Sequence, residues 1–494
     1  MMRTNRLAYR FLLCVLLLPL CGCSVLTHYT DRVSPVRDVF VQGNPQGALS
    51  LLQTRKVNSA TDRVCYLLEE GTLKHTAGDF AGSNQIFFDA VSIMQDRDMR
   101  AVVSGGKTLE QAGSVLINEK TIAYEGEGFE RVFVHTLQAL NFLLSNDKGS
   151  ARVEIKKAYE EADWLEQRNY KKLEAAQDKL QEENAKRQQQ NQQLSQTAIL
   201  DNANSTFSQD PDYAMLQSKA LSVLNAYQNA FTYYLSSLVY EMNGDYNDAY
   251  IDCKTAHQLR PGVPAVQRDL VRLAALNGFK DDLEQWEKEF GLNYAEMPMD
   301  VGDLIVVHQC GTAVEKKQIW VPIPIPEVGI QSFAFAVYRP VPFPAWAVSV
   351  VDGSTTLGAT DFLADMDALA VRNLNDRIPE IVIRTAVRFA IKALATYQMK
   401  KEMGAGGALI GMALTALTEQ ADLRSWLLMP SNLQIARIPL PPGEHRLGIV
   451  LEDSRRQTLD RRDITVTIEK GKMTLVNLRG IQKIVNDVQI SSSL

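Results

Sequence analysis

Cysteine is scarce beyond residue 23 of this 494-residue chain. The three that remain lie far apart and form no CxxC pair; they are Cys65, Cys253 and Cys310. An odd number of widely spaced cysteines indicates neither a disulfide framework nor a zinc site. With 46% hydrophobic residues, the chain is expected to be held together by apolar cores, and its length allows more than one.

The usual sequence signatures of catalysis are also missing. The six histidines are scattered and form no HExxH pair, and neither a GxSxG elbow nor a phosphate loop ending in Gly-Lys-Ser/Thr occurs. Basic residues form no patch and the formal net charge is −6, which disfavours a nucleic-acid partner. We therefore predict no enzymatic activity, no cofactor and no bound metal.

No uncharged apolar run is as long as a membrane-spanning helix, which needs about 20 residues. The run Phe11–Leu20 follows three arginines and precedes small residues, so 1–22 is expected to be a secretory signal. The uncharged stretch 403–417 is also too short to span a bilayer. It is expected to form a helix packed on a sheet, and insertion in lipid is the alternative.

The end of the signal, "LCGC", resembles the lipobox of bacterial lipoproteins. The resemblance implies that Cys23 is lipidated and becomes the first mature residue; an ordinary signal with incidental cysteines is the alternative. Ser24 follows, rather than the aspartate that retains lipoproteins in the inner membrane. The expected location is the outer membrane of a Gram-negative bacterium, facing the periplasm, with the membrane contacted through the lipid on Cys23.

Two segments, 63–94 and 231–261, resemble the tetratricopeptide (TPR) repeat. Each has a Gly-Asp-aromatic turn, at Gly78 and Gly244, between two helices with small residues at their contact. A weaker copy has Asn146 at the turn. Asn146 lies 68 residues after Gly78, twice the 34-residue period, but the intervening segment does not match, so the multiple is interpreted as coincidence. Residues 23–290 are predicted to be a TPR-like α-helical domain.

A helical arm is expected to leave this domain near 159–209. Its apolar stripe continues to Leu180 and then gives way to the charged and Gln-rich sequence "QEENAKRQQQNQQLSQ". A solvated loop at the tip is favoured over an arm that reaches a partner.

The composition changes at about residue 291. Segments rich in β-branched and aromatic residues alternate with Pro and Gly turns, and one long helix interrupts them. This order predicts an α+β domain over 291–494 with a mostly antiparallel sheet, ending in β-sandwich-like hairpins. The predicted fold class is therefore multidomain: an all-α TPR-like helical repeat domain followed by an α+β domain.

Two polar clusters are candidate functional surfaces. "YEGEGFER" contains Glu125, Glu127 and Arg131 at a helix start, where acidic residues also favour the positive end of the helix dipole. "ADLRSW" places Asp422 and Arg424 in a turn, where a structural salt bridge over a buried tryptophan is the favoured interpretation.

Together with the lipobox, the segments "YEGEGFERVFVHTLQALNFLL", "GDLIVVHQCG" and "ADLRSWLLMPSNLQIARIPLPPGEHRL" are similar to an uncharacterised family of bacterial helical-repeat lipoproteins. The resemblance implies no catalytic residues. It does imply associated proteins, because members are often found with small lipoproteins similar to activators of penicillin-binding proteins. A link to peptidoglycan synthesis is therefore expected.

The expected function is a protein-binding scaffold or assembly factor of the cell envelope. Helical repeats present a concave groove suited to gripping another protein. Polar residues that packing does not demand are expected to line this groove; they are Asn141, Ser237 and Asn243. The alternative is an enzyme or ligand-binding protein with its site in the C-terminal domain.

Overall fold

In the computed structural model, the described residues are 28–55, 60–103, 122–187, 195–325, 329–388, 391, 420–491 and 494. Cys23 and the apolar stretch 403–417 lie outside them. None of the helices in these ranges is long and apolar enough to cross a membrane.

The first half of the chain is helical. Its helices are α1 (Tyr29–Val41), α2 (Pro45–Arg55), α3 (Arg63–Thr76), α4 (Phe80–Val103), α5 (Gly128–Leu144), α6 (Lys148–Arg187), α7 (Gln196–Gln209), α8 (Pro211–Ala220), α9 (Ala230–Met242), α10 (Tyr246–Leu259), α11 (Pro264–Asn277) and α12 (Lys280–Phe290), followed by a 3-10 turn at Tyr294–Glu296.

Helical hairpins with left-handed turn residues form the repeating unit. The three predicted turns are confirmed, with φ of 82° at Gly78, 65° at Asn146 and 81° at Gly244. Two further hairpins, α1–α2 and α11–α12, turn at Gly43 and Gly278 with φ of 81° and 71°. Gly278 follows Gly244 by 34 residues, so the sequence carried a signal for this repeat that the pattern analysis missed.

In two of the hairpins the helices touch through a serine hydroxyl, and the helix that carries the serine differs between them. In α3–α4, Ser83 Oγ donates to the carbonyl of Gly71 at 2.8 Å. In α9–α10, Ser237 Oγ donates in the opposite direction to the carbonyl of Ala249 at 2.7 Å. Gly71 and Ser237 hold the same position relative to their turns, as do Ser83 and Ala249. Each contact therefore combines one hydroxyl with one smaller residue.

Both described parts of the arm are helical, and the second is not a solvated loop. α6 is 40 residues long, and α7 packs against residues 315–325 of the C-terminal half with Ile199, Ala203 and Phe207 buried. Leu180 on α6 is 3% exposed and belongs to the same apolar core. The predicted loop is wrong over α7 because its apolar residues, spaced four apart, are masked in the sequence by the polar residues between them.

The second half contains strands β1 (Gly302–Cys310), β2 (Glu315–Ile325), β3 (Gly329–Arg339), β4 (Ala345–Asp352), β5 (Thr355–Ala359), β6 (Asp361–Asp365), β7 (Asn432–Leu440), β8 (Gly443–Asp453), β9 (Thr458–Ile468), β10 (Met473–Gly480) and β11 (Gln489–Ser491), with helix α13 (366–388) between β6 and β7. The order β11-β10-β1-β7-β6 forms one sheet, β5-β4-β8-β9 a second, and β2-β3 a separate two-stranded sheet.

Pairing is antiparallel except between β1 and β10, so the mostly antiparallel arrangement is confirmed. β8 and β9 form the predicted hairpin, and the two larger sheets enclose an apolar core as in a sandwich. β10 does not continue that hairpin; it crosses to the five-stranded sheet beside β1. Sequence alternation alone could not distinguish these two pairings, because it indicates which side chains are buried and not which strand lies beside them.

A single apolar core extends from the helices into the five-stranded sheet. It includes Phe87 and Phe133 from the helices, Ile305 and Leu475 from the sheet, and Trp426 between them. Helices are thus followed by strands in the predicted order, while the division into two domains at residue 290 stays a prediction.

Candidate functional site

The inner face of the hairpin stack is filled by the chain's own C-terminal half. In α5, the first helix of its hairpin, all residues except Phe142 are buried. Residues 421–429, which we call the docking segment, bind to α3 and α5, and strand β7 binds to α9 and α11. The groove that was predicted to bind a partner is therefore filled by the docking segment and β7 of the same chain.

Trp426 anchors the docking segment. Its side chain is 1% exposed, with ring centroids 5.6 Å from Phe87 and 5.8 Å from Phe133. The indole Nε1–H donates to Thr72 Oγ1 at 2.8 Å. A buried tryptophan needs such an acceptor, because an unpaired N–H away from water is costly.

Two carboxylates on the inner helices accept the main-chain N–H groups of this segment. Glu69 on α3 accepts from Leu427 at 2.7 Å and from Leu428 at 2.9 Å, using a different oxygen for each. Glu130 on α5 accepts from the N–H of Trp426 at 2.7 Å. Three successive main-chain N–H groups of the docking segment are therefore held by carboxyl oxygens of the inner helices.

Burial shifts the acidity of both carboxyl groups. It raises the pKa of Glu69 to about 8, although the hydrogen bonds from Leu427 and Leu428 act in the opposite direction. Burial, together with the nearby charge of Glu127, raises the pKa of Glu130 to about 7. These carboxyls are therefore much weaker acids than exposed glutamates.

Glu69 was not singled out from the sequence, yet its position carried a signal. Counted from the turn, it occupies the place held by Leu137 and Leu235 in two other hairpins. A carboxylate at a position that is apolar in the other copies indicates a polar contact specific to one repeat.

Arg424 forms the structural salt bridge that the sequence predicts. Its guanidinium contacts Asp422 at 2.7 Å and donates to the carbonyls of Thr61 at 2.9 Å and Ile122 at 2.8 Å. These bonds join the docking segment to the segments that flank α3 and α5.

A second buried contact holds the sheet to the inner helices. Arg437 on β7 contacts Asp269 at 2.9 Å, Glu241 at 3.0 Å and Asp303 at 2.6 Å, and its side chain is 2% exposed. Arg272 also contacts Glu241 and Asp269. Burial alone would raise the pKa of Asp269, but Arg437 and Arg272 outweigh it and lower that pKa.

The predicted groove residues fall into two groups. Asn141 is fully buried, with its Oδ1 2.5 Å from Nδ1 of His75. Ser237 is also buried, and its hydroxyl donates to the carbonyl of Ala249 in the same hairpin. Their assignment to an open groove is wrong, because both side chains satisfy buried polar groups inside the fold. Asn243 is exposed, and its amide donates to the carbonyl of Val239 at 2.7 Å at the end of α9.

Glu127 lies between the helices and the C-terminal half. Its carboxylate accepts from Lys316 at 2.5 Å, Asn373 at 2.8 Å and Arg377 at 2.5 Å. Burial would raise its pKa, but Lys316 and Arg377 lower it to about 2. It also forms a capping box with Glu130 at the start of α5, as the capping interpretation predicts. With its charge neutralised within the fold, Glu127 offers little to a partner.

Arg131 and Glu125 belong to a neighbouring ion-pair network. Arg131 contacts Asp98 at 2.6 Å and also Glu161, and its side chain is 3% exposed. Glu125 contacts Arg168 and is partly exposed. Of the residues proposed from this cluster, Glu125 is therefore the most accessible.

The outer face of the stack is different. We define it by three large apolar side chains on the second helices of the hairpins: Phe88 on α4, Val153 on α6 and Ile251 on α10. They are 57%, 51% and 53% exposed. Val153 and Ile251 both lie seven residues after their turn residues, so they are equivalent repeat positions.

Within the described ranges, no group of three or more His, Cys, Asp or Glu side chains is arranged to hold a metal ion. Cys65, Cys253 and Cys310 are free and buried. A depression of about 30 Å³ beside β6, lined by Leu224, Arg260 and Phe362, has room for about one water molecule.

Neither a protein-family model nor a curated protein matches this chain. Solved structures similar to it include the nearly identical TPR-like repeats assigned to a kinesin light chain of Podosopora anserina, with 13% identity, 52% of this chain and 91% of that chain covered, and a TM-score of 0.25. Another is the TPR2AB domain of yeast Sti1 in a pHSP90 complex, with 13% identity, 53% and 91% coverage, and a TM-score of 0.19. Scores this low carry no argument about architecture or function. The chain's own hairpins, with their left-handed turns and 34-residue spacing, make its helical half a TPR-like repeat structure.

Proposed function

We propose that this protein is a lipid-anchored scaffold on the periplasmic side of the outer membrane, which binds an envelope protein through the outer face of its hairpin stack. The observation that carries the proposal is the exposure of Val153 and Ile251 at equivalent repeat positions. Exposed apolar side chains that share a surface are typical of protein-binding sites.

The two side chains lie on neighbouring hairpins. Arg152, next to Val153, contacts Asp245 in the turn before α10 at 2.7 Å. This ion pair links α6 to the turn from which α10 begins, and Val153 and Ile251 both face solvent on the second helices of these two hairpins. The inner face cannot compete for the same role, because the docking segment and β7 cover it.

The lipobox supports the anchor, and the family resemblance supports the pathway. Association with small lipoproteins similar to activators of penicillin-binding proteins makes the peptidoglycan synthesis machinery the proposed source of the partner. Neither inference requires catalysis by this chain.

Replacing both Val153 and Ile251 with glutamate should reduce crosslinking of the protein to envelope partners about tenfold or more, because two desolvated apolar contacts become charged. The melting temperature should change little, since both positions are exposed. Quantitative crosslinking in intact cells measures the first effect and circular dichroism the second. Met299→Glu, at a position 67% exposed outside the repeats, is the control. Undiminished crosslinking of a folded double variant would rule out the outer face.

Replacing Cys23 with serine should abolish incorporation of labelled acyl chains and leave the signal uncleaved, since the acylated thiol is lost. Cys21→Ser is the matched control and should still be labelled, because serine is also small and Cys23 is intact. Metabolic labelling followed by gel analysis separates the two variants. Label on the Cys23→Ser protein would show that the anchor is elsewhere or absent.

A further inference from the structure

A chain of polar side chains crosses the contact between the hairpin stack and the five-stranded sheet, with His75 at its centre. His75, near the end of α3, lies between Asn141 on α5 and Gln309 on β1. Its Nδ1 is 2.5 Å from Asn141 Oδ1, and its Nε2 is 2.7 Å from Gln309 Nε2. All three side chains are buried. The two ring nitrogens of one histidine therefore join the helices to the sheet.

On the sheet side, two main-chain carbonyls fix the direction of every hydrogen bond. The side-chain amide of Gln489 on β11 lies 2.9 Å from the carbonyl oxygen of His75 and 3.3 Å from that of Thr76. Carbonyl oxygens only accept, so the amide nitrogen faces them. Gln489 Oε1 then accepts from Asn477 Nδ2 at 2.6 Å, and Asn477 Oδ1 accepts from Gln309 Nε2 at 3.0 Å. Gln309 therefore presents an N–H group to His75, and Nε2 of the ring must accept.

On the helix side, a third carbonyl fixes the direction. Ser83 Oγ donates its proton to the carbonyl of Gly71, so it accepts from Asn141 Nδ2, which is 3.0 Å away. The other atom of this amide, Asn141 Oδ1, is an acceptor, and Nδ1 of His75 must donate to it. The network therefore selects a neutral imidazole that carries its proton on Nδ1.

An imidazolium does not fit these partners. A second proton, on Nε2, would point at the N–H group of Gln309 and at Asn477 Nδ2, which is 3.4 Å from the ring nitrogen. Burial lowers the pKa of His75 to about 4, although the hydrogen bond with Asn141 acts in the opposite direction. The positive charge of Arg479 on β10 lowers this pKa as well. Protonation of His75 is therefore coupled to the loss of its contacts with the sheet.

The other titratable groups near His75 are engaged elsewhere. Lys74 and Asp79 pair with each other at 2.6 Å. Glu69, on the same helix, accepts from N–H groups of the docking segment. His308 precedes Gln309 on β1 and contacts β7 from the opposite face of the strand. The groups that α4, α5 and β11 add to the network are amides and one hydroxyl. Within the described ranges, no carboxylate is paired with the His75 ring to stabilise a second proton.

We propose that His75 is an acid-sensitive switch in the contact between the hairpin stack and the five-stranded sheet. While the ring is neutral, it joins Asn141 to Gln309 and the contact is closed. Uptake of a second proton breaks the bond with Gln309 and opens the contact. The docking segment is held by the same sheet, because Arg479 donates to the carbonyl of Leu428 at 2.8 Å, so opening also exposes this segment. The switch does not depend on the lipid anchor or on the outer face, and its failure would leave the proposed function standing.

The direction of the pH dependence follows from the two states of the ring. The pKa of an exposed histidine is about 6.5 and that of His75 in the closed contact is about 4, so the open state binds more protons between these values. The closed contact therefore has its full stability above pH 6.5 and loses stability as the pH falls towards 4. Between pH 7 and pH 5 the opening equilibrium should shift about twentyfold towards the open state.

His75→Gln removes the titration and keeps a neutral donor and acceptor at this position. Hydrogen exchange of the docking segment is measured by mass spectrometry in the whole mature chain, for wild type and variant at the same pH, so that intrinsic exchange rates cancel. The ratio of the wild-type rate to the variant rate should rise about twentyfold from pH 7 to pH 5. His308→Gln is the matched control, because burial also lowers the pKa of His308 to about 4 but its ring contacts β7 within the strand half. For this control the ratio should change less than about twofold.

Nitrogen-15 NMR of the histidine-labelled wild type examines the ring directly and does not require a folded variant. The His75 signals, assigned through the contact of this ring with Phe80, should show the proton on Nδ1 and no titration near pH 6.5. A proton on Nε2, or a titration near pH 6.5 in the folded protein, would overturn the proposal. An exchange ratio that does not rise for His75→Gln, or that rises equally for His308→Gln, would overturn it as well, since the latter indicates general acid unfolding.

Discussion

Replacing Trp426 with alanine should lower the free energy of unfolding by about 3–5 kcal/mol. The indole fills the space between Phe87 and Phe133, and its removal leaves a cavity in the core shared by the helices and the sheet. Thr72 Oγ1 also loses the donor that Trp426 supplies. Urea denaturation followed by circular dichroism measures the change.

Trp346→Ala, on β4 of the four-stranded sheet, is the control for this prediction. Its side chain is exposed, so the loss should stay within about 0.5 kcal/mol. Similar losses for the two variants would mean that the docking segment does not hold the halves of the molecule together.

Replacing Arg437 with methionine should cost about 3–5 kcal/mol at neutral pH, because removal of one member of a buried ion cluster leaves unpaired charge. Arg272 would still contact Glu241 and Asp269, whereas Asp303 would lose its ion-pair partner. Arg462→Met, at an exposed ion pair with Asp460, is the control and should change stability by less than about 1 kcal/mol.

The loss at Arg437 should also depend on pH. In the wild type, burial would raise the pKa of Asp303, but Arg437 outweighs it and lowers that pKa, as it does for Asp269. A carboxyl whose folded pKa lies below its unfolded value contributes stability above the unfolded pKa, and this contribution is lost as pH falls through the folded pKa. Without Arg437, burial is no longer outweighed at Asp303 and raises the pKa of this carboxyl above its ordinary value, so the variant takes up a proton at a higher pH than the wild type and the difference between them should shrink on acidification from pH 7.5 towards 4. A difference that is constant over this range would contradict the ion-cluster explanation.

The sequence predicts local features of the fold well. Turn geometry at Gly78 and Gly244 follows from residues within a few positions, and so does the salt bridge of Arg424 with Asp422. The repeat at Gly278 was also within reach, through its 34-residue spacing from Gly244.

Local sequence patterns could not predict that the C-terminal half covers the inner face of the hairpins. Polar residues on inner helices, such as Asn141, look free for a partner when only their own hairpin is considered. The hydrogen-bond partners of such residues can lie far away in the sequence. Glu69, for example, accepts from main-chain N–H groups 358 and 359 residues away. No local periodicity encodes a contact of that range, whereas a carboxylate at a leucine position does indicate that some contact exists.

The contact between Thr72 and Trp426 spans 354 residues, and this separation bears on how the protein folds. Ordinary repeat arrays nucleate anywhere and grow by neighbouring units, so their contacts are short in sequence. Here the first hairpins are synthesised well before the docking segment that covers their inner face. Bringing Thr72 and Trp426 together closes a loop of more than 350 residues, which is entropically costly. Such a high contact order predicts slow folding, during which the apolar inner face of the hairpins stays exposed. Such a chain is expected to keep the inner face of its hairpins exposed to non-native contacts until its final third is available.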